Sequence, residues 1–168
     1  RALARVGLLV EPSPDLVATI ALRLGADIPF LATDAPMALG WGRGERLLAL
    51  RSLPARDVLL VLPPFGVETR AAFGWLAESR ENSELFAPAA RTLDELDRWD
   101  AVAKLTGNDF EPVVFAHHPE LGTARAAIEA AGARIARMSG SGSTLFGVFD
   151  RRLGQDPAGL PPGARTVH

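Results

Sequence analysis

The sequence predicts an α+β sandwich, and three observations support that prediction. Hydrophobic residues make up 48% of the 168 residues, which is enough to form a substantial core. An apolar run of strand length, "DVLLVL", occupies residues 57–62 and ends at two prolines. Helical patterns and then two further strand-like runs follow it, and this mixed order is typical of a sheet covered by helices.

The first third of the chain predicts a helix and a hairpin. The helix begins after Ser13, which can cap its first turn, and ends at Gly25 and Pro29. Its apolar stripe consists of Leu16, Ile20, Leu22 and Leu24. The segment "APMALGWGRGERLLAL" at 35–50 is typical of a strand, a glycine-rich turn and a second strand.

The rest of the chain predicts four helices and three strands beyond the run at 57–62. A helix over 67–80 carries Phe73 and Leu76 on one face, and residues 81–90 are predicted to form a loop. An amphipathic helix follows, with Leu93, Leu96, Val102 and Leu105 as its candidate buried face. Asn108 can cap a short helix, and Gly132 ends the next one. The strands are expected at 133–139, 143–149 and 164–168.

The composition excludes several classes of function. The net charge is −2 and the arginines are scattered, which does not favour a nucleic-acid-binding protein. There is no cysteine, so disulfides, thiol catalysis and cysteine-ligated metals are excluded for this chain. We find no run long enough to span a bilayer and no signal peptide, so the expected location is the cytoplasm. The chain begins at Arg1 without an initiator methionine, and we expect it to be processed or part of a longer chain.

The sequence "SGSGS" at 139–143 lies between the two predicted strands at 133–139 and 143–149. Successive N–H groups in a glycine-rich turn can point inward together and bind an anion, and the serine hydroxyls add donors. A long hairpin turn with solvated serines explains the same composition. The pattern alone leaves both interpretations open.

Asp27, in "LGADIPFL", is a candidate general base. It follows a predicted helix end and precedes four apolar residues, so a rigid junction would hold its carboxylate. An ordinary surface aspartate in a turn is the simpler explanation. The turn "GWGRGE" at 40–45 is interpreted as a plain hairpin turn, and His117 and His118 lack the carboxylate pattern that would complete a metal site.

Five segments, taken together, resemble one enzyme family. They are "LGADIPFL", "GRGE", "PPFGVETRAAF", "GNDFEPVV" and "ARMSGSGSTLFGVF". Their order and spacing are similar to those of the 4-diphosphocytidyl-2-C-methyl-D-erythritol kinases, a family of the GHMP kinase superfamily. The last segment is similar to the third motif of the superfamily, and "LGADIPF" is similar to the segment that carries its catalytic aspartate.

The resemblance implies a fold, a domain organisation and an activity. Residues 1–54 would be the carboxy-terminal part of a GHMP kinase amino-terminal domain, and residues 55–168 a ferredoxin-like α/β sandwich forming the carboxy-terminal domain. The activity would be ATP- and Mg²⁺-dependent phosphorylation of the 2-hydroxyl of cytidine diphosphate methylerythritol, in the non-mevalonate route to isoprenoid precursors. The expected partner is this small molecule, with no nucleic acid or membrane, and a homodimer is left open.

The resemblance also implies roles for individual residues. Asp27 would polarise or deprotonate the substrate hydroxyl. Gly140, Ser141 and Gly142 would lie against the ATP phosphates. Thr69 and Phe73 would contact the cytidine, with the ring of Phe73 stacked on the base, although a core position is the alternative for Phe73. No residue of this chain is implied as a metal ligand.

Two positions depart from the family pattern, and two motifs are missing. Glu68 replaces a residue that is commonly small, and Arg43 one that is often aliphatic. The P-loop-like segment and the catalytic lysine are expected before Arg1, so we expect this chain alone to be inactive. Another GHMP-type kinase, acting on homoserine or a sugar, and a non-catalytic ligand-binding relic of the fold are the alternatives.

Overall fold

The computed structural model describes residues 13–42, 44, 46–80 and 96–168. The chain divides into two compact units, Arg1–Leu53 and Pro54–His168, and each is described by itself. The predicted loop at 81–90, Leu93, Arg43 and Glu45 lie outside the described residues.

The first unit begins with helix α1, Pro14–Leu24. Ser13 caps it as predicted, since its hydroxyl oxygen accepts the N–H of Leu16 at 3.3 Å. Gly25 ends it and donates its N–H to the carbonyl of Ala21 at 3.2 Å. The local capping signals therefore predicted both ends of this helix.

A second short helix, α2, spans Ile28–Leu31 and was not predicted. Pro29 had been interpreted as a helix breaker, but proline is equally suited to the first turn of a new helix, where no N–H partner is needed. Asp27 immediately precedes α2, with helical backbone angles of −85° and −17°. Asp27 therefore lies in the turn between two helices.

The predicted hairpin is confirmed. Strands β1, Ala38–Trp41, and β2, Arg46–Ala49, pair antiparallel, with Leu39 opposite Leu48. The predicted apolar stripe of α1 is exposed in the described structure, between 48% and 72% for each of its four members, and Ala21 is the buried residue of this helix. The described residues therefore do not bury the apolar stripe that the sequence shows on this helix.

The second unit contains a four-stranded antiparallel sheet. Its strands are β3, Asp57–Leu62, β4, Ile135–Met138, β5, Leu145–Phe149, and β6, Arg165–Val167. The spatial order is β4-β5-β3-β6, with β3 pairing with both β5 and β6. All four strands were predicted, the first three from apolar runs and β6 as a short closing strand, and together with the helices they confirm the α+β class.

Four helices accompany the sheet: α3, Thr69–Arg80, α4, Trp99–Leu105, α5, Phe110–His117, and α6, Pro119–Ala130. Helix α4 begins later than predicted. Residues 96–98 are not α-helical, and Arg98 has extended backbone angles of −138° and 141° before the helix starts. Trp99 then donates its indole N–H to the carbonyl of Pro54 at 2.7 Å, which fixes the start of the helix against the beginning of this unit.

The core lies between one face of the sheet and these helices. Alternate residues of β3, Leu59 and Val61, are buried, as the period of two requires. They belong to one apolar cluster with Leu145, Leu121, Ile128, Val114, Ala72, Ala124, Ala136, Met138 and Phe149. Each large side chain buried in this way stabilises the fold by about 1.5–3 kcal/mol. The opposite residues of β3, Val58 and Leu60, are exposed.

No helix formed by the described residues is both long enough and apolar enough to span a bilayer.

Candidate functional site

The loop 139–144 connects two adjacent strands, β4 and β5. Ser139 donates its N–H to the carbonyl of Thr144 at 2.8 Å, which continues the ladder by one step. Gly142 donates its N–H to the carbonyl of Ser139 at 3.0 Å and closes a tight turn. The segment is therefore a hairpin connection. Whether it can also bind an anion depends on how the surrounding residues hold its backbone.

Two glycines give this loop a backbone that other residues would rarely adopt. Their φ angles are 56° at Gly140 and 95° at Gly142, in the left-handed region. A side chain at Gly142 would in addition meet the sulfur of Met138 at 2.7 Å and Val67 at 3.5 Å. At Gly140 a Cβ would meet no atom within 4 Å, so the backbone there is open to an approaching ligand.

Asn108 anchors the loop from one side. Its side-chain NH2 donates to the carbonyls of Met138 at 2.7 Å and of Gly140 at 2.8 Å. Its side-chain oxygen accepts the N–H of Phe110 at 2.9 Å and so caps the first residue of α5, although the N-cap position itself is Asp109, one residue later than predicted. The partners fix the orientation of the amide, because two carbonyls require a donor and an N–H requires an acceptor.

Glu111 holds the strand that enters the loop. Its carboxylate is buried, 6% exposed, and accepts the N–H of Met138 at 2.7 Å. The other carboxylate oxygen pairs with Arg125 at 3.0 Å, and Arg125 also pairs with Glu129. Burying a charged carboxylate costs free energy unless donors compensate for the lost water, and here both oxygens of Glu111 have a donor.

The N-terminus of α3 contacts the loop from the other side. The hydroxyl oxygens of Thr69 and Ser141 lie 3.1 Å apart and share a hydrogen bond. Ser143 is buried and its hydroxyl donates to the carbonyl of Phe65 in the segment that leads to α3. The structure therefore brings Thr69 together with the predicted phosphate loop.

Phe73 lies one helical turn after Thr69, so the two side chains share a face of α3. Phe73 is 58% exposed, and its ring meets that of Phe110 edge to face at 4.9 Å. The alternative that Phe73 is a core residue does not fit this exposure. An exposed aromatic ring can stack on a planar ligand.

A cleft of about 650 Å³ runs beside the loop and exposes its backbone at Ser139 and Gly140. Its other walls come from the end of α4, the Asn108 turn, β4 and β5, and include Leu105, Thr106, Phe110, Arg137 and Phe146. Arg137 donates to the carbonyl of Thr106 at 3.0 Å, so its guanidinium is held by protein groups.

Asp27 belongs to the first unit, where its side chain is exposed and makes no capping hydrogen bond with α2. The turn between β1 and β2 supports the peptide just before it. A Cβ at Gly44 would lie 2.8 Å from the carbonyl oxygen of Ala26, and Gly44 has a φ of 109°. Gly44 of this turn therefore lies close against the peptide of Ala26, which immediately precedes Asp27.

The adjacent histidines pack on aromatic rings. His117 stacks on Trp75 at 3.8 Å and His118 on Phe65 at 5.1 Å. Among the described residues no group of three His, Cys, Asp or Glu side chains could hold a metal ion. Both histidines are explained by packing.

The sequence missed the anchoring role of Asn108 and Glu111. Asn108 was recognised as a cap, because a cap is a local signal, but its other partners are 30 and 32 residues away. The charged Glu111 inside an apolar helical segment is the signal that could have revealed a buried partner, since carboxylates are seldom buried unpaired.

The chain is similar to known kinases in sequence and in fold. The family described as "GHMP kinases C terminal" matches residues 85–156. The chain is 40% identical over 142 residues to a 4-diphosphocytidyl-2-C-methyl-D-erythritol kinase of Chelativorans sp. (strain BNC1), a match covering 84% of the chain and 47% of the relative. A kinase of the same name from Geobacter sp. (strain M21) is 40% identical over 131 residues, which covers 78% of the chain and 45% of the relative.

A solved structure agrees with these relatives. The crystal structure of a 4-(cytidine 5'-diphospho)-2C-methyl-D-erythritol kinase matches 88% of the chain with a TM-score of 0.64 and 30% identity, and the match covers 51% of that protein. The chain thus spans about half the length of the curated relatives it matches. Residues 85–156 are similar to the GHMP kinase C-terminal family, and the chain is similar, over most of its length, to the carboxy-terminal portion of these kinases.

Proposed function

We propose that the full-length protein containing this chain transfers the γ-phosphoryl group of ATP to the 2-hydroxyl of 4-diphosphocytidyl-2-C-methyl-D-erythritol. The observation that carries the proposal is the 3.1 Å contact between the hydroxyls of Thr69 and Ser141. It joins the helix expected to hold the cytidine to the loop expected to face the phosphates. A nucleotide-bearing alcohol and a phosphoryl donor must meet at such a junction.

The cytidine end of the substrate would be held by α3. The exposed ring of Phe73 offers an aromatic face, and base stacking on such faces is worth about 1–3 kcal/mol. Thr69 offers a hydroxyl one turn away on the same face. Pyrimidine recognition of this kind is what distinguishes the proposed substrate from homoserine or a simple sugar.

The phosphoryl end would be held by the glycine-rich loop. None of the hydrogen bonds among the described residues uses the N–H groups of Gly140 and Ser141, so both can donate to an anion. Phosphoryl transfer depends mainly on positioning and on stabilising charge, and a fixed set of backbone donors supplies both.

Asp27 would act on the attacking hydroxyl. Its carboxylate accepts the hydroxyl proton as the bond from that oxygen to the γ-phosphorus forms and the bond to the β,γ-bridging oxygen breaks, releasing ADP. Mg²⁺ bound with ATP supplies charge neutralisation. The described residues contain no cluster of ligands for it, so we assign it to no side chain of this chain.

The proposal is tested by assaying the full-length protein with ATP and a panel of alcohols. The panel contains the cytidine diphosphate substrate, homoserine and galactose, and ADP release is measured together with phosphorylated product. We expect a kcat/KM for the cytidine substrate at least about a hundredfold above that of the other alcohols, because they lack the base that stacks. A preference for homoserine or a sugar, or the absence of turnover with every alcohol, would contradict the proposal.

A further inference from the structure

We infer that Asn108 is a positioning residue that sets the orientation of the phosphate-facing loop, an inference that rests on the proposed function. One side-chain NH2 group bridges the carbonyls of Met138 and Gly140, at 2.7 and 2.8 Å. These carbonyls bracket the first turn of the loop. A single residue outside the loop therefore controls two of its peptide planes.

The direction of each carbonyl determines the direction of the following N–H. In a trans peptide the C=O of one residue and the N–H of the next point to opposite sides. The carbonyl of Met138 faces Asn108, and the N–H of Ser139 accordingly points the other way, where it donates to Thr144 at 2.8 Å. By the same geometry the carbonyl of Gly140 directs the N–H of Ser141 away from Asn108.

The N–H of Ser141 is therefore presented on the face opposite the clamp and is not used by any hydrogen bond among the described residues. The Ser141 hydroxyl makes its bond to Thr69. Losing the Asn108 bridge would free the Gly140 peptide to rotate, because Gly140 at a φ of 56° has no side chain to hold it in place. A rotated peptide would present a carbonyl oxygen, which repels a phosphate, instead of an N–H.

Asn108 is also tied to the rest of the unit, so the clamp has a rigid base. Its side-chain oxygen receives the N–H of Phe110, and its carbonyl receives the N–H of Glu111 at 3.0 Å. Glu111 in turn accepts the N–H of Met138. The segment 108–111 is thus joined to β4 by two hydrogen bonds at Met138 and to the loop by a third at Gly140.

Two substitutions in the full-length protein separate the clamp from the cap. Asn108→Ser keeps an oxygen that caps α5 but removes the bridging NH2, and Asn108→Asp does the same while adding a negative charge beside two carbonyls. We expect Asn108→Ser to raise the KM for ATP and to lower kcat, so that kcat/KM for ATP falls about tenfold. Asn108→Asp should lower kcat/KM further. The KM for the cytidine substrate should change less than twofold, because Phe73 is untouched.

A second measurement reads the loop without turnover. In protein labelled with ¹⁵N-serine and ¹⁵N-glycine, the amide resonances of Ser141 and Gly142 should shift in Asn108→Ser, while that of Gly132 should not. Unchanged resonances would overturn the clamp, and shifted resonances with wild-type ATP kinetics would overturn its role in catalysis. An equal decrease in kcat/KM for ATP and for the cytidine substrate, at a temperature where the variant is folded, would mark Asn108 as merely structural. Failure of the proposed function is distinguishable, since the wild-type protein would then lack the activity while the resonance shifts persisted.

Discussion

The hydroxyl of Thr69 lies 3.1 Å from the hydroxyl of Ser141, although the two residues are 72 positions apart. This hydrogen bond links the first turn of α3 to the loop that joins β4 to β5. Because Thr69 begins a helix whose exposed face carries Phe73, the contact also places that aromatic ring one turn from the loop. Predictions about either element therefore have to be tested on both substrates of the proposed reaction.

Phe73→Ala should weaken the binding of the cytidine substrate without unfolding the protein. The ring is 58% exposed and makes one T-shaped contact with Phe110, so its removal leaves no large cavity. Loss of stacking predicts a KM for the cytidine substrate about tenfold higher, with an almost unchanged KM for ATP. Steady-state kinetics of the full-length variant measure both values.

Phe73→Leu is the matched control, because it keeps apolar volume and removes the aromatic face. It should show most of the same defect. If Phe73→Leu behaves like the wild type, the side chain contributes only apolar contact, and the stacking role is wrong.

The stability of the second unit should depend on pH through Asp150. A hydrogen bond from Arg134, with the charges of Arg134 and Arg56, holds the pKa of this carboxyl below its ordinary value of 3.8. A carboxyl with a lowered pKa stabilises the folded state above its ordinary pKa, and this contribution is lost as the pH falls through the lowered value. Asp150→Asn should therefore lower Tm near neutral pH and have a diminishing effect below pH 3.8.

Thermal unfolding of the full-length protein across the acid range tests this dependence. Asp57→Asn is the control, since Asp57 is on the neighbouring strand β3 and forms no ion pair among the described residues. Asp150 and Asp100, the two carboxylates that pair with Arg134, are both exposed, so added salt should shrink the difference in Tm. A constant difference in Tm across the whole range would show that the effect is not electrostatic.

The sequence predicted most of the fold because the signals were local. Ser13, Gly25 and Gly132 mark helix ends within one turn of themselves, and the alternation of Leu59 and Val61 marks a strand with one buried face. Helix α2 was missed because Pro29 ends one helix pattern and begins another equally well. Local patterns could not separate these two uses.

The candidate site could be predicted only in part. The glycine-rich loop was evident from its composition, but Thr69 was assigned only by resemblance, since nothing near it in the sequence points to a partner 72 residues away. The sequence predicted the hydrogen bond that Asn108 accepts from a helix start two residues ahead. It did not predict the hydrogen bonds that Asn108 donates to Met138 and Gly140. For a side chain that has both local and distant partners, a sequence pattern predicts only the local ones.

Gly44→Ala should disturb the backbone that carries Asp27. A Cβ at this position would lie 2.8 Å from the carbonyl oxygen of Ala26, and the φ of 109° disfavours any side chain. If Asp27 is the base, a displaced peptide should lower kcat at least about tenfold and leave both KM values nearly unchanged, because proton transfer requires close alignment. Kinetics of the full-length variant test this split.

Gly40→Ala is the matched control in the same hairpin. A Cβ there would meet a side-chain atom of Leu47 at 3.4 Å and the carbonyl oxygen of Arg46 at 3.9 Å, and neither contact is a clash. A kcat for Gly40→Ala equal to that of the wild type, beside a reduced value for Gly44→Ala, isolates the contact with Ala26. Equal losses in both variants would mean that the hairpin as a whole, and not this contact, is sensitive.

Asp27→Asn should abolish most of the activity, because the amide has the size of the carboxyl but cannot accept the hydroxyl proton. General-base contributions are about 10²–10⁴-fold, so kcat should fall within that range while both KM values change little. Asp15→Asn, at an exposed position in the first turn of α1, is the control and should retain wild-type kinetics.

The catalytic assignment also requires that Asp27 and the loop face the same substrate in the full-length protein. This chain contains no cysteine, so Asp27→Cys and Ser141→Cys can be introduced together as the only thiols of this part of the full-length protein, and each linked pair is identified by peptide mapping. We expect a short bifunctional maleimide to link them, and ATP with a substrate analogue to protect them, because the reacting groups would then fill the space between. Asp15→Cys with Ser141→Cys should remain unlinked. If the Asp27 pair fails to react while each single cysteine is modified readily, Asp27 lies away from the loop and cannot be the base, whatever its substitution does to kcat.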